Sequence, residues 1–258
     1  MMNDYQVFTE KVYDKLKIDL NQYKEAQMKR RLTSLREKRG YSDFASYFHA
    51  ICGDETLLNE FVDRITINVS EFYRNPKRWE VLKDSIFPIL KQEKKELTIW
   101  SAACSTGEEP YSVAILLKEY FPEVNATILA TDIDEKVLEK ARQGVYHEQA
   151  LRELPQSLKA KHFKQDGDIF SVNTDIKRRI RFKKHNLLED SYPKDVDLII
   201  CRNVLIYFTD HAKEKIYHHF TKSLVQNGFL FVGSTEQIFS PNKYGLQLFD
   251  TFFYQKKN

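Results

Sequence analysis

From Leu97 onward the chain alternates short, largely apolar runs with amphipathic helical stretches, and this rhythm restricts the fold more than any other feature. Leu97-Thr98-Ile99-Trp100 reads as a strand, followed by a loop and a helix from Pro110 to Tyr120. Ala126-Thr127-Ile128-Leu129-Ala130 repeats the unit, with a helix from about Glu135 to Gln143. Val196 to Cys201 is a third strand and Asp210 to Val225 the helix after it. Asn227-Gly228 ends that helix, Phe229 to Val232 is another strand, and Leu246 to Tyr254 is a closing strand-like aromatic run. Strands apolar on both faces need helices on both sides, so the expected fold is α/β, with a doubly wound, mostly parallel sheet.

Upstream, residues 1 to about 90 read as helix after helix. In Tyr23 to Arg39, Met28, Leu32 and Leu35 share one face, Lys29, Arg30, Arg31, Arg36, Lys38 and Arg39 surround them, and Gly40 is the stop. Glu55 to Ile67 is expected to bury Leu58, Phe61, Val62 and Ile65, and Trp79 to Leu90 forms a third amphipathic run. The polar stretch 91–96 reads as a linker, which divides the chain into a helical domain (1–90) and an α/β domain (97–258). The rhythm breaks at about 154–183. There Asp166-Gly167-Asp168 turns between Lys161–Lys164 and Ile169–Val172, and Ile176–Phe182 supplies a third segment, so a small antiparallel β-subdomain is expected.

Composition excludes several classes. Net charge is only +3 over 258 residues, which argues against wholesale nucleic-acid binding. Three separated cysteines without a CxxC spacing suit a reducing cytoplasm. The start, Met1-Met2-Asn3-Asp4-Tyr5, lacks a signal-peptide pattern, and no apolar run approaches the roughly 18 residues of a membrane span. A cytoplasmic location without membrane insertion is the expectation.

The most informative stretch is Trp100 to Pro110, which holds Ser101-Ala102-Ala103-Cys104-Ser105-Thr106-Gly107-Glu108-Glu109. Small residues allow a ligand close to the backbone, and an open α/β sheet binds ligands at the carboxyl ends of its strands. A phosphate loop needs repeated glycines or a Gly-Lys-Ser/Thr ending, whereas Glu108 and Glu109 would repel a phosphate and suit an ammonium or sulfonium group. The same loop also reads as an ordinary turn with solvated glutamates. Asp132 ends the second strand, where an acid accepts hydrogen bonds from ribose hydroxyls, and Asp134 is placed to cap the next helix. A nicotinamide dinucleotide would use that same acid, but the glycine fingerprint is missing. Asn186-Leu187-Leu188 and Cys201 to Phe208 follow later strands and so map to the same edge. There a carboxamide satisfies an adenine edge and an apolar neighbour packs on its face.

Taken together, Asn68-Val69-Ser70-Glu71-Phe72-Tyr73-Arg74, Trp100 to Tyr111, Ala130 to Asp134, Asn186-Leu187-Leu188, Cys201 to Phe208 and Gly233-Ser234-Thr235-Glu236 resemble the chemotaxis receptor glutamate methyltransferase (CheR-type) family. The resemblance implies an S-adenosylmethionine-dependent enzyme that forms glutamate methyl esters on chemoreceptors and releases S-adenosylhomocysteine. It implies that Asn68, Ser70 and Arg74 reach the cofactor from the N-terminal domain. Glu108, Glu109, Asp132, Asn186, Leu187, Asn203 and Val204 would line the pocket, and Arg74 and Tyr207 would flank the methyl group. The basic helix bearing Lys29, Arg30, Arg31, Arg36 and Arg39 is expected to meet acidic receptor helices, and the β-subdomain docks on receptors in this family.

Two other functions fit the sequence less well. A nucleic-acid methyltransferase commonly carries an Asn/Asp-Pro-Pro-aromatic turn, but Arg202-Asn203-Val204-Leu205 stands there without proline. A non-catalytic module that binds S-adenosylmethionine and tethers receptors would not require the strings around Arg74 and Tyr207. A metal hydrolase fails, because His218 and His219, adjacent on a helix, cannot both face one ion.

Overall fold

The computed structural model describes residues 3–68, 70–94 and 96–257. Val69 of the Asn68–Arg74 string, Lys95 of the expected linker and Met1-Met2 lie outside the described residues. The chain divides into two compact units, Met1–Ile67 with Val204–Ile216, and Asn68–Asn203 with Tyr217–Asn258.

The first unit is helical: α1 (Asp4–Leu16), α2 (Glu25–Lys38), α3 (Phe44–Gly53) and α4 (Glu55–Thr66). Asn3 opens α1 with a capping box, and Asp43 and Asp54 cap α3 and α4 through backbone N–H groups, so each start has its donors satisfied by a short polar side chain. Phe8, Leu32, Tyr47 and Phe61 form the centre of its core, each at most 1% exposed. Met28, Leu32 and Leu35 are the buried face of α2, as their spacing predicts. On α4, Phe61 and Ile65 are buried, but Leu58 and Val62 are only half-buried. The segment after Asn203 joins this unit, which the sequence did not foretell. The Lys24 N–H donates to the Tyr207 carbonyl (2.9 Å), the Thr209 N–H donates to the Gln22 carbonyl (2.8 Å), and Phe208 packs on Tyr23 at 4.8 Å.

The second unit begins with α5 (Pro76–Val81), a π-helical turn (Leu82–Ile86) and α6 (Phe87–Glu93). The single amphipathic helix expected over Trp79–Leu90 is therefore one run with a π bulge. Pro88 brings no N–H, and the wider turn absorbs the missing bond. Trp79, Leu82, Ile86, Phe87 and Leu90 lie in one core cluster with Leu97, Ile99 and Phe231. Residues 68–93, grouped by periodicity with the N-terminal helices, thus pack as part of the α/β unit.

The elements then run β1 (Glu96–Ala102), α7 (Glu108–Tyr120), β2 (Asn125–Asp132), α8 (Glu135–Gln143), β3 (Val145–His147), α9 (Gln156–His162), β4 (Phe163–Asp166), β5 (Ile169–Val172), α10 (Thr174–Lys177), β6 (Ile180–Lys184) and β7 (Val196–Cys201). α11 (Asp210–Ser223), β8 (Leu224–Val232), β9 (Leu246–Asp250) and β10 (Phe253–Lys256) complete the chain. The main sheet has the order β6-β2-β1-β7-β8-β10-β9, parallel from β6 to β8 and antiparallel over β10 and β9. All six residues of β7 are buried, as a strand covered on both faces requires. Strand order reverses between β1 and β7, so the crevice of a doubly wound sheet falls at their carboxyl ends.

Two expectations need correction. The β-subdomain is a three-stranded antiparallel sheet of order β3-β5-β4, and the hairpin around Asp166-Gly167-Asp168 is present. Its third strand, however, is Val145–His147, while Ile180–Lys184 joins the main sheet beside β2. Ile180 pairs in register with Ile128, and Phe182 meets Tyr111 of α7 at 5.8 Å. Alternation marks a strand but does not say which sheet it enters. The closing aromatic run is likewise two strands, β9 and β10, separated by Thr251 and Phe252.

Candidate active site

The loop between β1 and α7 is bent tightly. Ala103, Ser105 and Gly107 all have positive φ (61°, 49° and 95°), which costs about 1 kcal/mol or more at each of the two non-glycine positions. Gly107 has no alternative, since a Cβ there would meet the Ala141 Cβ at 2.9 Å and the Tyr146 hydroxyl oxygen at 3.2 Å. The loop is pinned to its neighbours. The Cys104 N–H donates to the Thr131 carbonyl (2.8 Å), and the Tyr146 hydroxyl donates to the Thr106 carbonyl (2.6 Å).

Three carboxylates gather around this loop. Asp132, 5% exposed, accepts the Ser105 N–H (2.9 Å) on one oxygen and the Asp134 N–H (3.0 Å) on the other. Burial pushes its carboxyl up to about 6, against the pull of those backbone donors. Glu109 accepts from the Ser101 hydroxyl (2.8 Å), and burial pushes it up to about 7 although Arg202 and Arg74 favour its charge. Glu108 is buried and shifted upward for the same reason, with the hydroxyls of Thr106 and Ser70 on its carboxylate. Holding two buried acids and a third largely buried one beside one buried cation is unfavourable for their charged forms, and a cationic ligand would offset that cost. Asp134 caps α8 by accepting the Lys136 N–H (2.9 Å), as expected of it.

The segment from Asn68 to Arg74 belongs to this unit, not to the helical one. The Asn68 amide donates to Asp134 (3.2 Å) and its oxygen accepts from the Ser105 hydroxyl (3.4 Å). Phe72 anchors the segment between Tyr146 (4.9 Å) and Phe163 (5.2 Å), and its N–H donates to the Ala150 carbonyl. Arg74 is half-buried between two residues of left-handed backbone, Tyr73 and Asn75. Its carbonyl accepts from the Trp79 indole (3.1 Å) and from Arg202 (2.8 Å).

Asn186 and Leu187 reach the same strand end, because the His185 N–H donates to the Asp132 carbonyl (2.8 Å). The Asn186 side-chain oxygen accepts the Leu188 N–H (2.9 Å), and Leu187 is buried. Asn203 follows β7 with φ of 61°, and its N–H donates to Glu236 (2.6 Å). Asn68, Ser70, Arg74, Glu108, Glu109, Asp132, Asn186, Leu187 and Asn203 therefore share the second unit. Val204 and Tyr207 belong to the first, in the segment tied to Gln22–Lys24.

Sequence reasoning missed two groups. The Arg202 guanidinium is buried 3.7 Å from Glu109 and lies over the Phe231 ring at 4.6 Å. An arginine at a strand end reads as solvated, and only the fold shows otherwise. Glu236 accepts both the Asn203 and Gly233 N–H groups (2.6 and 2.8 Å), joining the ends of β7 and β8. Gly233 is held to glycine, since a Cβ would stand 2.9 Å from the Asn203 backbone nitrogen and 2.4 Å from that carboxylate oxygen. The string Gly233-Ser234-Thr235-Glu236 was the available signal.

Much of the basic face of α2 is engaged within its own unit. Arg36 lies over Phe44 (4.7 Å), Lys29 over Tyr5 (5.4 Å), and Arg39 pairs with Glu60 (2.6 Å). Arg30 is exposed and Arg31 half-buried.

Comparison with known proteins follows the same division. Residues 68–252 match the family model described as CheR methyltransferase, SAM binding domain, and residues 3–66 match CheR methyltransferase, all-alpha domain. The chain is 44% identical over 254 residues to a chemotaxis protein methyltransferase of Listeria innocua, covering 98% of this chain and 97% of that one. A chemotaxis protein methyltransferase of Listeria monocytogenes is 43% identical over the same shares. One from Borreliella burgdorferi is 38% identical over 88% of this chain and 85% of its own.

Proposed function

The chain belongs to the CheR methyltransferase family, and from that premise we propose that it methyl-esterifies glutamate side chains of chemoreceptors. Its larger domain binds S-adenosylmethionine. The observation that carries the reading is the trio of carboxylates at the switch point of the sheet, Glu108 and Asp132 buried and Glu109 largely so. This donor set repels phosphate and fits a ligand bearing an ammonium group, a sulfonium centre and ribose hydroxyls. When bound, S-adenosylmethionine supplies an electrophilic methyl group on a sulfonium sulfur.

The protein's own residues would hold and aim the reactants. Asp132 accepts from ribose hydroxyls, while Glu108 and Glu109 balance the positive charge. The Asn186 amide N–H groups serve the base, with Leu187 against its face. A glutamate carboxylate, with an ordinary pKa of about 4.3, is ionised near neutral pH, so no general base is required. Alignment and exclusion of water are then the main contributions. Arg74 holds one carboxylate oxygen and leaves the other free to attack, with its backbone fixed by Trp79 and Arg202. The family resemblance alone assigns Val204 to the cofactor and Tyr207 to the methyl group. The helical domain, through Arg30 and Arg31 of α2, contacts acidic receptor helices, and the reaction takes place in the cytoplasm. Among the described residues no helix is long and apolar enough to cross a membrane.

Incubation with methyl-labelled S-adenosylmethionine and receptor-rich bacterial membranes tests the reading. Base-labile label on receptor bands is expected, and label confined to nucleic acid, or stable to base, would refute it.

A further inference from the structure

Lys177-Arg178-Arg179-Ile180-Arg181-Phe182-Lys183-Lys184 holds six cations and no acid in eight residues. The chain is +3 overall, so without these six charges the remainder is net −3. Positive charge is thus concentrated on the end of α10, the turn after it and β6, which is an edge strand of the main sheet. It pairs with β2 on one side and, among the described residues, with no strand on the other. Ile180 is buried and Phe182 turns to Tyr111 of α7, so Arg181 and Lys183 project from the opposite face. Arg178, Arg181, Lys183 and Lys184 are exposed, and none forms an ion pair among the described residues. A groove of about 690 Å³ lies where β2 and β6 begin, lined by Asn125, Thr127, Arg178, Arg179 and Arg181. Its carboxylate, Glu123, is already paired with Lys91. The groove is at the opposite end of β2 from Asp132, about 23 Å away at roughly 3.3 Å per residue.

We propose that the free edge of β6 is a docking strip for an extended, acidic polypeptide segment that adds to the main sheet as a further strand. This does not depend on the methyl-transfer reading. An edge strand offers alternate N–H and C=O groups that another polypeptide can pair with in series, and cations two residues apart match carboxylates at the same period. The one aromatic ring of the run faces α7, so no stacking platform for single-stranded nucleic acid is present on it. No large apolar side chain of the run is exposed for insertion into a bilayer. Basic residues on an edge also discourage strand pairing between copies of one protein, and an acidic segment is the partner that overcomes that discouragement.

The test uses the full chain and a fluorescent eight-residue peptide of alternating glutamate and threonine, titrated at 50 mM salt. Saturable binding is expected, weakened at least fivefold by Arg178→Gln with Arg181→Gln and weakened again at 300 mM salt. The same peptide carrying N-methyl groups at alternate amides keeps its charge and is expected to lose at least fivefold in affinity. The two exposed substitutions should leave the thermal midpoint and S-adenosylhomocysteine affinity unchanged. Absence of binding, equal affinity of the variant, or equal affinity of the N-methylated peptide would overturn the proposal. Tighter binding of duplex DNA or of phosphatidylserine vesicles than of the peptide would overturn it as well.

Discussion

Replacing Asp132 with Asn should weaken S-adenosylhomocysteine binding at pH 7 and remove a pH dependence that the wild type shows. The wild-type carboxylate accepts one backbone N–H on each oxygen, from Ser105 and Asp134. Asparagine offers one oxygen and one NH₂ group, so either a backbone donor or a ribose hydroxyl loses its acceptor. Such a loss costs about 1–3 kcal/mol, or about 5- to 150-fold in affinity. With its carboxyl pushed up to about 6, Asp132 is about one-tenth ionised at pH 5 and about nine-tenths at pH 7. Ribose hydroxyls donate to the ionised form, so wild-type affinity should rise about tenfold over that interval. Stability moves the other way. Because the folded value lies above the ordinary aspartate value of 3.8, the contribution is fully present below 3.8 and is lost as pH rises through about 6. That loss is about 3 kcal/mol, and the variant should not show it. Glu109, pushed up to about 7, adds a second step, so the difference between wild-type and variant profiles isolates Asp132. Titration calorimetry from pH 5 to 8 at constant salt reads the affinities, and urea unfolding reads the stabilities. Parallel wild-type and variant affinity profiles would remove Asp132 from the cofactor site.

Arg74→Ala should lower turnover about 10- to 100-fold while changing S-adenosylhomocysteine affinity less than threefold, because its proposed task is to orient the substrate carboxylate. Wild-type rates at saturating receptor would refute that role. Arg202→Met should destabilise by about 1–3 kcal/mol, below the usual cost of about 3–5 kcal/mol for breaking a buried pair, because Glu109 can take up a proton. That cost should grow from pH 6 to 8 as Glu109 ionises without its partner, and a flat cost in urea unfolding would contradict the pairing. Arg30→Gln with Arg31→Gln should raise the receptor concentration for half-maximal methylation several-fold and reduce its salt sensitivity, since the screened field reaches only about 8 Å at physiological salt. Arg36 is unsuitable for that test. Its place over Phe44 means that Arg36→Gln should lower the thermal midpoint, and no change in a melting curve would dispute the contact.

The parallel strands were legible because they are buried on both faces and leave largely apolar runs, as β7 does over Leu198–Cys201. Asp134 as a cap and the buried stripe of α2 were legible because both are local effects of a few residues. Partnership between distant segments was not. Ile180–Lys184 has the period of a strand in either sheet, and only its pairing with β2 decides which. Tyr146 sits in a three-residue strand too short to show alternation, yet its hydroxyl holds the Thr106 carbonyl. Residues 76–93 have a helical period whichever core they pack against, and Trp79 is buried beside Phe231. The strand-end residues Asp132, Asn186 and Asn203 could be assigned to one edge because a parallel sheet places all its carboxyl ends together. Arg202 escaped, because nothing local distinguishes a buried arginine from a solvated one.

The central claim is that the acceptor is a glutamate side-chain carboxylate. Mass spectrometry of receptor peptides after incubation with the purified chain and methyl-labelled S-adenosylmethionine addresses it directly. Single methyl groups on glutamate side chains are expected, released as labelled methanol by mild base and about 10- to 100-fold fewer when Arg74→Ala replaces the wild type for the same short incubation. Methyl groups on lysine or arginine nitrogen, or label that survives base, would contradict it.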